Sequence, residues 1–569
     1  MAGRPRLRIV AASALGMGLA AALGIAGASC AANPALRSFP DRPVAWHEHD
    51  TAEVAKPPQP SGLAELDSAL LVRDSLAGEV DRTLALEGAR PAGDVNAADD
   101  VPCSTWFCPR NHLRPLTPQA IAAGPSGIAP RLPLRIVKGK DRGAALGFQV
   151  VDADGHTFLL KLDPIGHAGL ATAAEIVGTR VFHAAGYNVP SNFVVDLGPG
   201  DLLLDPQATF RLYRVQKQPL TVDEVVARLA GAARTADGRL HGVAVSWLPG
   251  KVLGAFDMQG RRADDPNDRI RHEDRRSLRA SFLLVAWLAI FDASAINTLD
   301  SYVEEDGRHF VRHYIIDFGA GLGSATNDIK GPHEGGQHVV EVGRTMASVL
   351  SLGLYRRPYQ SQRDVWTELV AAHPSVGWFP AEQFDVGAFR TNRKVPAHVR
   401  MTARDAYWGA KVVTSFSDAQ IAAIVGAAQL APGEAAYLEH ALRVRRDLIG
   451  RRFLTAVTAV EAPAVVAGGG GGTAGTRVCF DDLVIARGYA RPARVRYLVG
   501  VADEAGRRRG EMTVPAQGVH SCVPAPDVAG GYRVVAISAE LASDVGWTRA
   551  RTARIHIRDG RVVGLERDE

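Results

Sequence analysis

The chain is poor in net charge and cysteine. It has 569 residues, with 65 basic and 61 acidic side chains and a formal charge of +4. Even that small excess is local. Arg4, Arg6 and Arg8 lie in the first segment, and no acidic residue precedes Asp41. Without those three arginines, 62 basic residues face 61 acidic ones. A chain so balanced has no nucleic-acid footprint, and no nucleic-acid partner is expected. The uninterrupted apolar run from Phe282 to Phe291 is too short to span a bilayer and reads as a buried core helix. His333, Glu334 and His338 lack the H-E-x-x-H spacing of a metalloprotease helix and read as a polar loop. What is present is ordinary for a globular protein: 46% hydrophobic and 22% charged residues. The length exceeds one ordinary core, so two or three domains are expected.

The first thirty residues read as an export signal. The arginines are followed by an Ala/Gly-rich apolar run from Ile9 to Ala26 and then by Gly-Ala-Ser-Cys. Ala28-Ser29-Cys30 resembles a bacterial lipobox, which would make Cys30 a lipidation site and give the protein a membrane anchor. Gly27 stands where that pattern prefers leucine. Cleavage by the ordinary signal peptidase and an uncleaved anchor are the alternatives. Ala31 suits outer-membrane sorting, so the expected location is periplasmic, outer-membrane lipoprotein or secreted. Of the five cysteines, four remain after Cys30: Cys103 and Cys108 in CSTWFC, and Cys479 and Cys522 near the end. An even number, two by two along the chain, fits two local disulfides in an oxidising compartment. A redox or metal pair at Cys103 and Cys108 is the rival reading. It is disfavoured by a four-residue gap and by the lack of a second ligand pair nearby.

Composition divides the chain into five parts. Residues 1–30 are the signal segment. Residues 31–130, rich in Ala, Pro and Asp, read as a tether with short helices, one of them between Leu63 and Leu86. Residues 131–460 begin with short β-branched and aromatic runs separated by turn residues, and become helical after about residue 265. Residues 461–475 contain AGGGGGTAG and read as a flexible linker. Residues 476–569 alternate like the strands of a small sandwich. The fold class expected is α+β: a mostly-β lobe, a mostly-α lobe and an appended all-β module.

Polar residues of one particular kind occur in order along the central part. Lys161 lies near the end of a strand in FLLKLDP, and Glu175 on the following helix in ATAAEIVG. Asp292 and Asn297 lie in FDASAIN just after the buried helix, and Asp317 follows strand formers in HYIIDFGAGLG. In this order the chain resembles the protein-kinase-like superfamily, closest to its atypical branches: HipA-type toxin kinases, phosphatidylinositol kinases and spore-coat kinases. It also resembles uncharacterised exported bacterial proteins. The resemblance covers roughly residues 130–455. It implies a bilobal fold, an antiparallel N-lobe sheet with one helix over a helical C-lobe, with ATP and Mg²⁺ between them. It further implies a Lys161–Glu175 ion pair, Asp292 as catalytic base, and Asn297 and Asp317 as metal ligands. The chemistry agrees. Phosphoryl transfer needs the phosphates neutralised and positioned, with little covalent help, and Mg²⁺ takes oxygen ligands.

The chain departs from the family pattern in two places. Ile290-Phe291 precedes Asp292, so the His-Arg-Asp context is missing, as in the atypical branches. The loop from Lys138 to Gly147 carries three glycines without G-x-G-x-x-G spacing. Gly143 in that loop is the candidate for presenting backbone N–H groups to phosphate, and a simple hairpin is the alternative. Ser246-Trp247-Leu248-Pro249-Gly250 falls where the lobes join, and Trp247 and Leu248 are the candidates to pack on a nucleotide ring. Singly, each position also has a plain reading: Asp317 as a turn former, Asn297 as a helix cap, Glu175 as a solvated helix face. Two functions follow. One is an exported phosphotransferase with an unidentified acceptor. The other is a catalytically inactive kinase-shaped binding or scaffold lipoprotein of the envelope, which the scarcity of ATP outside the cytoplasm favours. A third arrangement, an anchor with the catalytic face in the cytoplasm, conflicts with the paired cysteines.

Overall fold

The computed structural model describes residues 39, 49–77, 90–140, 143, 145–212, 216–466, 475–504, 507–526 and 531–569. The signal segment with Cys30, and residues 467–474 of the glycine-rich linker, lie outside the described residues.

The N-lobe is one seven-stranded sheet. Its strands are β1 (Leu134–Gly139), β2 (Gly147–Val151), β3 (Thr157–Leu162), β4 (Asn192–Leu197), β5 (Leu202–Leu212), β6 (Gln216–Pro219) and β7 (Leu240–Ser246). They run in the order β4-β7-β3-β2-β1-β5-β6. All pairs are antiparallel except β1 with β5. Period-two alternation buries Phe158, Leu160 and Leu162 of β3 with Leu134, Ile136, Phe148 and Val150 on one face. Lys161 lies on the opposite face, toward α1 (Leu170–Ala185). That helix begins where the Asp163 carboxylate accepts the backbone N–H groups of Gly169, Ala171 and Thr172 at 2.8–2.9 Å. A carboxylate there satisfies orphan donors and complements the helix dipole. The helix ends at Gly186, whose φ of 138° suits glycine. Every α1 residue except His183 is buried.

The C-lobe contains a three-stranded antiparallel sheet of β8 (Lys251–Gly254), β9 (Thr298–Glu305) and β10 (Arg308–Ile315). Its main helices are α2 (Arg276–Trp287), α3 (Ala403–Val413), α4 (Asp418–Gly426) and α5 (Pro432–Phe453). The run expected as a core helix, Phe282–Phe291, lies in α2 only as far as Trp287, and Leu288–Phe291 follow the helix end. Trp287 donates its indole N–H to Leu442 O of α5 at 2.8 Å. One apolar core joins α1 to the C-lobe helices. No helix among the described residues is long and apolar enough to cross a membrane.

The C-terminal module is a sandwich of two sheets. One is β11 (Val460–Val466), β12 (Arg477–Asp482) and β15 (His520–Pro524), in the order β11-β12-β15. The other follows the order β14-β13-β16-β18-β19. Its strands are β13 (Val495–Asp503), β14 (Arg508–Pro515), β16 (Tyr532–Ser543), β18 (Ala553–Arg558) and β19 (Arg561–Arg567), and β17 (Gly546–Arg549) pairs with β16. Val478, Phe480 and Val523 from one sheet share a core with Tyr497, Val535, Ile537 and Ile555 from the other. Both expected disulfides are formed. Cys103–Cys108 closes a short loop, and Cys479–Cys522 joins directly paired residues of β12 and β15. The α+β bilobal arrangement followed by a small sandwich is therefore present.

Two expectations about organisation are corrected. The sandwich begins at Val460, and β11 runs on through Val466 into what composition marks as linker. Pro463 and a register shift between Glu461 and Ala464 interrupt the strand pattern of β11. The N-terminal region is not a tether. Asp50 accepts from the Thr105 N–H and hydroxyl at 2.8 and 2.6 Å, and Trp106 stacks on His313 of β10 at 3.5 Å. Asp94 accepts from the N–H of Arg276 and from Ser277 at the start of α2. Asp99 is buried as well. Its carboxylate meets Arg276 of α2 and Arg404 of α3, both at 2.7 Å, and Arg567 of β19 at 2.5 Å. Asp100 beside it accepts from Trp408 and Lys411 of α3 at 2.6 and 2.9 Å, and Lys411 also meets Glu461 of β11 at 2.8 Å. A low-dielectric site makes such pairing obligatory, because an unpaired buried charge is far more costly than the pair.

This network sets a stability prediction. Burial alone would raise the Asp99 carboxyl, but the three guanidiniums hold it well below the usual carboxylate range. Asp99→Ala is expected to cost about 3–5 kcal/mol in urea unfolding, since it leaves buried guanidinium charge uncompensated. The unfolded carboxyl takes up a proton first, so the Asp99 contribution is complete above the unfolded value of about 3.9. It is lost as pH falls toward the depressed native value. The gap in unfolding free energy between wild type and variant should therefore narrow in acid. A constant gap would contradict this account.

Candidate active site

The site forms where the N-lobe sheet, α1 and the segment after β10 meet. Lys161 occupies β3, a central strand flanked by β2 and β7. Gly147 of β2 is its direct partner, and a Cβ there would lie 2.0 Å from Leu160 O. Only glycine permits that approach. The Lys161 ammonium pairs with Glu175 Oε1 of α1 and lies 2.9 Å from Asp317 Oδ1. Glu175 Oε1 also accepts the Gly319 N–H at 3.1 Å. One buried carboxylate thus holds both the strand lysine and the backbone just beyond Asp317.

The three side chains differ in access. Lys161 is 8% exposed, Glu175 3% and Asp317 34%. Burial works against the Lys161 charge, but Asp317 and Glu175 outweigh it and move the ammonium upward. Burial moves the Glu175 carboxyl upward, with Asp317 adding to the shift and Lys161 opposing it. Burial also pushes Asp317 up, but Lys161 and then Lys140 bring it down to about 2. Asp317 is therefore an anion that faces the cleft while its neighbours face inward.

Asp317 has φ +62°, in the left-handed region that aspartate tolerates better than most residues. It is held on both sides. The preceding Ile316 N–H donates to Asn297 O at 3.0 Å. The following Phe318 is 2% exposed and packs on Phe182 of α1 with ring centroids 5.0 Å apart. Its place exists because residue 178 is glycine: a Cβ at Gly178 would sit 2.5 Å from Phe318 Cβ.

Asp292 and Asn297 follow α2. The Asn297 Nδ2 donates to Asp292 O at 2.7 Å and, more weakly, to Asp292 Oδ2 at 3.4 Å. The amide is thereby oriented with its oxygen left over. Burial and the nearby charge of Asp317 push the Asp292 carboxyl up to about 6. The hydrogen bond from Asn297, and then Arg393 and Asn392 from a distant loop, oppose that shift. The carboxylate and amide oxygens of Asp292, Asn297 and Asp317 are hard donors, and this set fits a divalent cation that prefers oxygen.

The structure gathers Lys161, Glu175, Asp292, Asn297 and Asp317. Gly143, with φ +77°, lies in the β1–β2 loop beside Lys140, where a Cβ would be 3.1 Å from the Lys140 ammonium. Lys140 itself went unnoticed in the sequence. Its ammonium donates to Ala145 O at 3.1 Å, and burial and Lys161 push it down to about 8 against the pull of Asp317 and Glu175. A lysine in a Gly-Lys-Asp turn carries no local sign of such a role. Trp247 and Leu248 are not brought into this group. The Trp247 N–H bonds Thr157 O at the start of β3. That is four residues from Lys161, about 13 Å along the strand, and both side chains line a different cleft.

No family model matches the chain, and no curated protein matches it. Among solved structures, it is similar to the Helicobacter pylori proinflammatory kinase CtkA, at 12% identity and a TM-score of 0.27, over 55% of this chain and 94% of that one. It is also similar to the Golgi casein kinase, at 10% identity and a TM-score of 0.28, over 59% of this chain and 77% of that one. Both superpositions are loose, so the functional reading rests on the chain's own geometry.

The docking of Phe318 gives a test. Gly178→Val is expected to expel the ring, cost about 1–3 kcal/mol by overpacking, and free Asp317 from Lys161. Unfolding measurements and a structure of the variant would report both effects. An unchanged Phe318 position would show that Gly178 does not set the site.

Proposed function

We propose that the protein is an exported kinase-like phosphotransferase that uses a Mg-nucleotide to phosphorylate a hydroxyl acceptor. The observation that carries this reading is the Lys161 ammonium, paired with Glu175 and 2.9 Å from Asp317. Kinases need a strand lysine braced by a helix glutamate and an Asp-Phe-Gly aspartate for metal, all in place together. Lys161 would neutralise the α- and β-phosphates, with Glu175 fixing its direction. Asp317 and the free amide oxygen of Asn297 would hold Mg²⁺, which when bound neutralises charge on the transferring phosphoryl group. Asp292 would accept the hydroxyl proton. Its carboxyl at about 6 is mostly ionised at neutral pH, yet basic enough to take that proton. Lys140 and the loop around Gly143 would close over the phosphates.

The reading extends to location. The two disulfides suit an oxidising compartment, which supports export with either a lipid on Cys30 or release after cleavage. The same disulfides favour a second reading, a binding or scaffold protein of the envelope, because ATP is scarce there.

Heating the protein without residues 1–30, with and without Mg-ATP, separates the two. A ligand at 100 times its dissociation constant adds about 2.7 kcal/mol of stability, so a clear rise in melting temperature is expected. Asp317→Ala should abolish that rise. Asp292→Ala should keep the rise and lose phosphoryl transfer. No rise with any nucleotide would favour the scaffold.

A further inference from the structure

A second cleft lies apart from the residues just described. It encloses about 640 Å³, within the range of small-molecule sites. Its walls come from five parts of the chain: Arg110 and Ile128 of the N-terminal region, Thr157 at the start of β3, His183 and Asn188 at and beyond the end of α1, Trp247 of the lobe-joining turn, and Arg312 of β10. Lys161, Glu175, Asp292, Asn297 and Asp317 do not line it.

Its charge is one-sided. None of the lining residues is acidic. Arg110 is half-buried and donates through Nη1 alone, to His183 O at 2.7 Å and Tyr187 O at 3.1 Å. Those two carbonyls fix the guanidinium and leave its Nε and Nη2 without a protein acceptor. Arg312 donates through Nη2 to Glu305 at 2.6 Å, while its Nε is buried with no hydrogen-bond partner. Burial and then the charge of Arg312 push Arg110 downward. Two like charges are thus close enough to repel. Repelling guanidiniums with unused N–H groups are stabilised by an acceptor between them, and a planar anion accepts from such forks in pairs. Beside them stand aromatic and aliphatic surfaces. Trp247 is 52% exposed and Ile128 61%, available to cover a ring or an apolar body.

We infer that this cleft is a binding site for a small amphipathic anion, an apolar or aromatic body carrying a carboxylate or a phosphate monoester. The anionic group sits on Arg110 and Arg312, and the body lies against Trp247 and Ile128. The site is independent of phosphoryl transfer: it stands on the second cleft's own charge and shape, and holds whether or not the chain uses a nucleotide.

The test uses the full chain and four probes of similar size: phenyl phosphate, benzoate, benzyl alcohol and benzamidine. Binding is read by ligand-observed NMR and titration calorimetry. Phenyl phosphate or benzoate should bind, and the neutral and cationic probes should not. Preference for phenyl phosphate identifies a phosphate monoester as the ligand class, and preference for benzoate a carboxylate. Arg312→Gln should weaken the anion by about tenfold or more, the scale of a lost charged hydrogen bond. Arg110→Gln should do the same. Because Arg110 also braces two carbonyls, Trp247→Ala, at an exposed position, serves as the variant least able to disturb folding, and it should weaken the aromatic probes. The inference is overturned if neither anion binds at millimolar concentration, if benzamidine binds equally well, or if anion binding persists in Arg312→Gln and Trp247→Ala.

Discussion

A buried ammonium between two carboxylates governs the centre of this protein. Taken out of water, a lysine costs several kcal/mol unless it is paired with good geometry. Lys161 meets that condition only when three elements are in place together: β3, which carries it, α1, which brings Glu175, and the turn after β10, which brings Asp317. The surrounding sequence follows from this demand. Gly147 lets β2 approach the strand, Gly178 makes room for Phe318, and the Gly319 N–H completes the bonding of Glu175. The charge cluster is thus a packing constraint before it is a chemical device.

A second charge lattice does the same work at larger scale. Asp99 and Asp100 come from the N-terminal region, Arg276 from α2, Arg404 and Lys411 from α3, Glu461 from β11 and Arg567 from β19. The sandwich is therefore joined to the C-lobe by buried ion pairs, and the N-terminal region is the piece between them. Phe39 adds an apolar contact of the same kind, packing on Tyr532, Val534 and Val563 of the sandwich. The second cleft depends on this arrangement too, since Arg110 and Ile128 belong to the same region.

The contrast between these two clusters explains what could be read from sequence. The five polar residues of the first cleft each sit at a local feature: a strand, a helix, the exit from an apolar helix, or a turn before glycine. Their order along the chain carries the pattern. The N-terminal region shows no such sign. Asp94, Asp99 and Asp100 look like solvated tether residues because the α2, α3 and β19 side chains that pair with them lie about 180 to 470 positions away. Burial of a polar side chain is decided by its partner, and no local periodicity reports it. β11 was hidden for a different reason, its proline and shifted register. Trp247 and Leu248, at the turn that joins the lobes, lie about 13 Å along β3 from Lys161 and line the second cleft.

Function turns on whether the open face of Asp317 meets a metal-bound polyphosphate. A crystal structure of the chain grown with Mg²⁺ and a non-hydrolysable ATP analogue measures this directly. The account predicts phosphate density beside Lys161 and a metal ion within about 2.1 Å of oxygens from both Asp317 and Asn297. Nucleotide bound elsewhere, or a metal that touches neither residue, would contradict it.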